Sequence, residues 1–68
     1  MFDEKSFRNA VLKKGETILD AAAIMGISKV TLYSKMTGES DFFREEIQKF
    51  CEYYGVRPAL IFFADKVS

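Results

Sequence analysis

Catalytic chemistry has few candidate side chains in this sequence. There is no His and only one Cys, so neither a Cys/His nucleophile pair nor a zinc-ligand set can be assembled. The adjacent acids Asp3–Glu4 and Glu45–Glu46 point about 100° apart on a helix and suit first turns, where carboxylates offset the positive helix end. Cys51 falls on an apolar stripe typical of a buried thiol. The sequence therefore predicts no enzyme, no cofactor, no metal and no small-molecule substrate.

Recognition chemistry, by contrast, is concentrated in one predicted helix that begins after Ser28. Leu32 and Met36 lie four residues apart, so both point towards a core. The other face carries a cation, a methyl-bearing side chain, a phenol and a hydroxyl, at Lys29, Val30, Tyr33 and Ser34. Such a face either is solvated or offers hydrogen bonds and methyl contacts to the base edges of a DNA groove.

Two helices and the sharp turn between them must hold that face in place. Thr17 can cap the first helix, with Asp20 three residues on, which is a weaker form of the Ser/Thr…Glu capping box. Ala21 and Ala22 are small, so a second helix can approach closely. Gly26 stands where a residue with positive φ would end the helix. Together these signals predict a helix-turn-helix over residues 17–38.

Three further short helices are predicted around this unit. Asp3 can cap the first helix, Ser40 or Asp41 the fourth, and Pro58 suits the first turn of a fifth. The apolar run at 59–63 could close the core, continue as a strand or face a partner. Apolar spacing on the fourth helix predicts one buried stripe, formed by Ile47, Phe50, Cys51 and Tyr54. The fold class is therefore all-α, a compact bundle of about five short helices.

This chain resembles the Cro/CI repressor-like (XRE-type, lambda-repressor-like) helix-turn-helix family, and in particular its small phage Cro-like members. The residues that match the family's motif are Thr17, Ala22, Gly26, Ile27, Ser28, Leu32 and Gly38. The resemblance implies a lambda-repressor-like fold and a transcriptional regulator from a phage or prophage. Such a regulator binds a double-stranded DNA operator in the major groove as a homodimer. The family usually has Gln where Ile18 stands and an apolar residue where Lys35 stands, with Met36 its expected replacement here.

The family's motif also assigns roles to residues of this chain. Lys29, Val30 and Ser34 match base-reading positions, and Tyr33 is a neighbour on the same face. The candidate phosphate contacts are the helix N-terminal amides at Thr17 and Ile18 and the side chains of Ser28, Thr31, Lys35 and Thr37. Ser28 could equally act only as a cap, and Thr31 could be only solvated. The apolar surplus near the end of the chain makes Arg57, Leu60, Phe62 and Phe63 the candidate interface of a weak dimer.

The charge pattern is only mildly favourable to nucleic acid. The 68 residues carry no net charge and are expected to form a single domain, 1–68. Residues 1–38 hold six Lys/Arg and four acids, a balance of +2, and residues 39–68 hold the remainder, a balance of −2. A basic face on a neutral protein gives a modest salt-dependent attraction to DNA. A single Cys makes a reducing cytoplasm the default, and no apolar run approaches the roughly 18 residues of a membrane span. The resemblance implies that this cytoplasm is that of a bacterial host cell.

A second class of function stays open at this point. The aromatic end of the chain, around Phe62 and Phe63, could instead hold another protein, for instance a repressor in a phage switch. The two hypotheses differ in their response to salt. DNA binding weakens steeply as salt rises, whereas an apolar protein interface does not.

Overall fold

The computed structural model describes residues 2–63, and these residues form five α-helices and no strand. The helices are α1 (Glu4–Lys13), α2 (Ile18–Met25), α3 (Lys29–Met36), α4 (Arg44–Tyr54) and α5 (Pro58–Ile61). The Cα radius of gyration is 11.0 Å, close to the roughly 11 Å of a compact chain of this length. The predicted all-α bundle of short helices is thus confirmed. None of the described helices has the length and apolar character that crossing a bilayer requires.

The core lies where α1, α2 and α4 meet. α2 packs against α4 and α3, and α1 packs against α5 and α2. The rings of Phe7 and Phe50 stack at its centre, with centroids 4.4 Å apart and planes at 12°. Leu32 and Phe50 have no exposed surface, as their spacing predicted. Small residues let α2 approach closely, since Ala21 and Ala22 are also fully enclosed.

Local signals in the sequence explain the ends of α2 and the start of α3. Thr17 Oγ1 accepts from the Asp20 amide at 3.3 Å, and the Thr17 amide donates to Asp20 Oδ2 at 2.9 Å, which completes a capping box. Gly26 ends α2 at φ 78°, the left-handed conformation predicted for it. Ser28 Oγ then accepts from the Thr31 amide at 3.1 Å and caps α3. The turn between the two helices is therefore only three residues long.

The start of α4 differs from the prediction. Neither Ser40 nor Asp41 caps it. The helix begins at Arg44, and the Phe43 amide donates to Glu46 Oε1 at 2.9 Å. Ser40 and Asp41 are used elsewhere: the Ser40 amide donates to a carbonyl of α3, and the Asp41 carbonyl accepts from a lysine of α3.

The chain after α4 closes back onto α1. Pro58 occupies the first turn of α5, as predicted, and residues 59–61 are helical and do not continue as a strand. The Asp3 amide donates to the Ile61 carbonyl at 2.7 Å, which joins the start of α1 to the end of α5. Phe62 is only 6% exposed and lies among the rings of Phe2, Phe7, Phe42 and Phe50. Its assignment to a dimer interface is wrong, because the core already encloses its ring.

Candidate nucleic-acid interface on α3

The orientation of α3 divides its residues into an inner and an outer set. Leu32 and Met36 face the core. On the outer side Val30 is 76% exposed, Tyr33 is 37% exposed, and Lys29 and Thr31 are also exposed. Ser34 is half-buried at the edge of this outer side. Three of the four predicted base-reading residues are thus accessible together, and the fourth is partly so.

A lysine and an arginine lie near Tyr33 on the outer side of α3. Lys29 Nζ lies 5.9 Å from the centroid of the Tyr33 ring one turn on, within the range of a cation–π contact. Arg8 of α1 comes close to the same phenol, although its Nε is bound to Glu4 Oε2 at 2.8 Å. The Glu4 carboxylate chiefly, with a smaller effect of Tyr33, raises the pKa of Arg8. Sequence reasoning missed Arg8, because only the fold brings α1 beside Tyr33.

Lys35 is not a phosphate contact, contrary to the prediction. Its side chain is 5% exposed, and Nζ donates to the Asp41 carbonyl at 2.7 Å. The same nitrogen lies 3.2 Å from Glu46 Oε1 and 4.0 Å from the centroid of the Phe43 ring. Every direction of the ammonium group is thus occupied by protein. Met36 is buried beside Lys35 and does not replace it, so both residues contribute to the inner side of α3.

The three hydroxyl groups predicted to contact phosphate differ in the hydrogen bonds that they already make within the protein. Ser28 Oγ donates to Thr31 Oγ1 at 2.9 Å while it caps α3. Thr37 Oγ1 donates to the Ser34 carbonyl at 3.1 Å. The Thr31 hydroxyl only accepts in these contacts, so its own proton can be donated outward. Of the three predicted hydroxyl contacts to phosphate, Thr31 is the best placed.

The N-terminus of α2 is a weaker phosphate site than predicted. The amide and the hydroxyl of Thr17 both donate to Asp20 Oδ2, at 2.9 and 3.1 Å. An incoming phosphate would therefore meet a carboxylate at the positive end of the helix. The backbone amide of Ile18 remains available as a donor there, while the half-buried Ile18 side chain packs on the core.

A second surface lies between α4 and α5. An apolar groove of about 760 Å³ runs along these helices, lined by Phe42, Arg44, Ile47, Gln48, Cys51, Glu52, Val56, Pro58 and Phe63. Phe63 is 58% exposed and Leu60 is 62% exposed, but only Phe63 lines the groove. Arg57 is exposed outside it. Burial raises the pKa of the Cys51 thiol, which makes this side chain a poor nucleophile.

Nothing in the part of the chain from 2 to 63 assembles a metal-binding group of His, Cys, Asp and Glu residues. Comparisons with known proteins add no family: no protein-family model, curated protein or solved structure matches this chain. The functional assignment therefore depends on the outer side of α3 and on the groove between α4 and α5.

Proposed function

We propose that this chain is a sequence-specific DNA-binding transcriptional regulator, of phage or prophage Cro/repressor type, that acts in the bacterial cytoplasm. In this proposal α2, the three-residue turn and α3 form a lambda-repressor-like helix-turn-helix, and α3 enters the major groove of an operator. One observation carries the proposal: a capped, short α3 buries Leu32 and Met36 and leaves Lys29, Val30 and Tyr33 exposed on the other side.

The chemistry of the exposed side suits base edges. Helix-turn-helix proteins direct the N-terminal residues of their second helix towards the bases. Lys29 can donate to O6 or N7 of guanine, and Val30 can pack on a thymine methyl group. The Thr31 hydroxyl and the Ile18 amide can donate to phosphates on either side. Tyr33 lies one turn after Lys29 on the same face, and its hydroxyl can bond to a neighbouring base edge.

A single copy of α3 covers only a few base pairs. Helix-turn-helix proteins extend the site by two-fold symmetry, with two recognition helices about 34 Å apart in successive major grooves. We therefore propose a homodimer on an inverted repeat. The predicted interface residues Arg57, Leu60 and Phe63 are all exposed, and Phe63, which lines the groove, supplies surface for this contact.

Selection of bound duplexes from a random pool tests the proposal. The parent protein should recover an inverted repeat whose half-sites are about 10 base pairs apart, centre to centre. Lys29→Ala/Val30→Ala should lose the enrichment, and both positions are exposed, so the fold should persist. Lys13→Ala, which removes an exposed lysine of α1, is the matched control and should recover the parent sequence. Selection without any enriched sequence would reject the assignment.

The groove supports a second candidate, a protein-binding module. Its volume of about 760 Å³ and the exposed Phe63 ring at its edge would suit an apolar segment of another protein. A partner held there should bind with little dependence on salt, should be lost in Phe63→Ser and should be kept in Lys29→Ala. DNA binding should instead weaken as salt rises and should be lost in Lys29→Ala. Phe63→Ser does not separate the two candidates, because it also weakens the proposed dimer.

A further inference from the structure

The polar rim of the groove is formed by one row of side chains on α4. Arg44, Gln48 and Glu52 follow one another at intervals of four residues, and all three are exposed. The apolar floor beside them includes Ile47 and Cys51, and Phe63 stands at the opposite edge. With a rise of about 1.5 Å per residue, Arg44 and Glu52 each lie about 6 Å along the helix from Gln48.

The charges of this row are placed against the helix dipole. Arg44 is the first residue of α4, where the helix end is positive, and Glu52 is in its last turn, where the end is negative. Arg44 makes no ion pair with any described residue, and Glu52 accepts one hydrogen bond, from Gln48 Nε2 at 3.2 Å. Both charges are therefore unfavourable to the dipole of an isolated α4. They also leave a cation and an anion without ion-pair partners among residues 2–63, at equal distances along the helix from Gln48.

A second copy of the same helix would satisfy both charges. When two such helices lie antiparallel around a two-fold axis at Gln48, Arg44 of each meets the partner's Glu52. A parallel pair would instead place like charges together. Antiparallel packing also brings each positive helix end beside a negative one. This self-complementarity is what a two-fold symmetric interface requires.

We propose that the groove between α4 and α5 is the contact with a second copy of this chain, in which α4 packs antiparallel to α4 of the partner around Gln48. Two reciprocal pairs, Arg44 with the partner's Glu52, close the ends, and Phe63 covers the apolar floor. The proposal rests on the homodimer of the proposed function and specifies its interface. Phe63 belongs to that interface, whereas Leu60 lies outside it and the buried Phe62 supports it from the core.

Charge reversal tests the pairing without DNA. In Arg44→Glu both rim charges are negative, and in Glu52→Arg both are positive, so each variant should dimerise at least about tenfold more weakly than the parent. An equimolar mixture of the two variants restores both opposite-charge contacts. Sedimentation should therefore show a 1:1 heterodimer about as tight as the parent dimer. Neither change should unfold α4, because each places a charge where the helix dipole favours it.

Matched controls separate this interface from general charge effects. Lys5→Glu and Glu39→Arg change the net charge by the same amounts at exposed positions outside the groove, and each should dimerise like the parent. Phe63→Ser should weaken the dimer, while Leu60→Ser, at an equally exposed apolar position, should not. Circular dichroism of every variant confirms that the helices are retained.

Several outcomes would overturn the proposal. They are a parent that stays monomeric at millimolar concentration, a mixture of the reversed variants that fails to associate, and a Leu60→Ser variant that loses the dimer while Phe63→Ser keeps it. If the groove instead holds another protein or residues 64–68, the parent should stay monomeric, which is the first of these outcomes. None of these measurements involves DNA. A failed pairing therefore leaves the selected operator sequence standing, and a failed selection leaves the dimer standing.

Discussion

A lysine ammonium can be buried only where the protein replaces the water it loses. Lys35 meets this requirement with one carboxylate, from Glu46, one carbonyl, from Asp41, and the face of the Phe43 ring. All three partners belong to the loop after α3 or to the first turns of α4. The buried charge therefore fixes the path of the chain as it leaves α3.

Removal of the Lys35 charge should destabilise the protein without removing a contact to a DNA phosphate, because the buried ammonium group does not reach the surface. Lys35→Met leaves Glu46 buried without its cation, and we expect a loss of about 3 kcal/mol in unfolding free energy. Lys35→Met/Glu46→Gln should recover part of that loss, since the side-chain carbonyl oxygen introduced at position 46 can still accept from the Phe43 backbone amide. Urea unfolding measures both variants. A Lys35→Met protein as stable as its parent would contradict the buried ion pair.

Lys29 belongs to the opposite class, an exposed cation at the start of α3. Lys29→Ala should weaken binding to the preferred operator by about 1–3 kcal/mol, with the loss confined to one base pair in each half-site. Titration of duplexes that carry single substitutions measures this pattern, with Lys13→Ala as the control. If affinity falls equally on every duplex, Lys29 contacts phosphate and reads no base.

The difference between these two lysines could not be predicted from local sequence. Lys29 and Lys35 occupy the same short helix, and helical periodicity places Lys35 at the border of the inner side. Whether a lysine there reaches water depends on Glu46 and on the Asp41 carbonyl, which the fold brings close. Phe62 was misassigned for the same reason: four rings from distant parts of the chain enclose it.

At the scale of elements, one carboxylate ties the connection between α1 and α2 to α4. Glu16 accepts from the Tyr53 hydroxyl at 2.6 Å and from the Tyr54 hydroxyl at 2.8 Å. Lys14 Nζ lies 4.5 Å from the centroid of the Tyr53 ring. Burial first, and then the bond to Glu16, raises the pKa of Tyr54 well above its ordinary value, and the bond to Glu16 raises that of Tyr53. Glu16 thus ties the short connection to α4 through both of its carboxylate oxygens.

These contacts predict a loss of stability in alkali. Because the folded pKa of Tyr54 exceeds the unfolded value of about 10, its contribution is complete below pH 10 and is lost as pH rises above it. Unfolding free energy measured in urea should fall more steeply above pH 10 in the parent than in Tyr54→Phe. At pH 7 that variant should be about 1–2 kcal/mol less stable. Identical alkaline profiles for the two proteins would argue against the Tyr54–Glu16 bond.

The turn between α2 and α3 gives a second prediction at this scale. A Cβ at Gly26 would meet only Lys49 Nζ, at an ordinary 3.6 Å, so the penalty arises from φ and not from crowding. Gly26→Val should destabilise the fold by about 1 kcal/mol or more. Gly26→Asn should cost less, since Asn tolerates positive φ better. Thermal unfolding of the pair tests this order, and a Val variant that melts with its parent would exclude a strained turn.

Most helix ends followed from local chemistry, whereas the start of α4 did not. The caps at Asp3, Thr17 and Ser28 and the stop at Gly26 depend on residues within a few positions, so the sequence was sufficient to predict them. α4 starts three residues after Asp41, because α3 engages the loop backbone before the helix can begin. The link between Glu16 and the two tyrosines left no signal, since 37 or 38 residues separate its members.

At the scale of the whole molecule, the zero net charge leaves little general attraction to DNA. With Lys35 neutralised by Glu46, Lys29 is the cation that α3 itself presents. Exposed acids, Glu39 and Asp41, follow α3 in the next loop. Under the proposed function, discrimination between DNA sequences would then arise mainly from close contacts with bases and less from a long-range field.

A shallow salt dependence follows from this distribution. With one or two phosphates neutralised per protomer, log K against log salt should have a slope of about −2 to −4 for the dimer on its operator. Fluorescence anisotropy titrations at about 50 to 300 mM salt measure this slope. Lys35→Met should leave the slope unchanged. A slope near −8 would mean that other basic surfaces of the molecule contact DNA.

The hydrogen bond from the Asp3 amide to the Ile61 carbonyl has a consequence for how the molecule is made. A ribosome releases the chain from its beginning, yet Phe2 and Phe7 complete their packing only against Phe62. Until that ring leaves the exit tunnel, the aromatic surface of the first helix has no final cover. These helices can therefore complete their core only after Phe62 has left the ribosome, and the aromatic surface of the first helix is prone to aggregate until then.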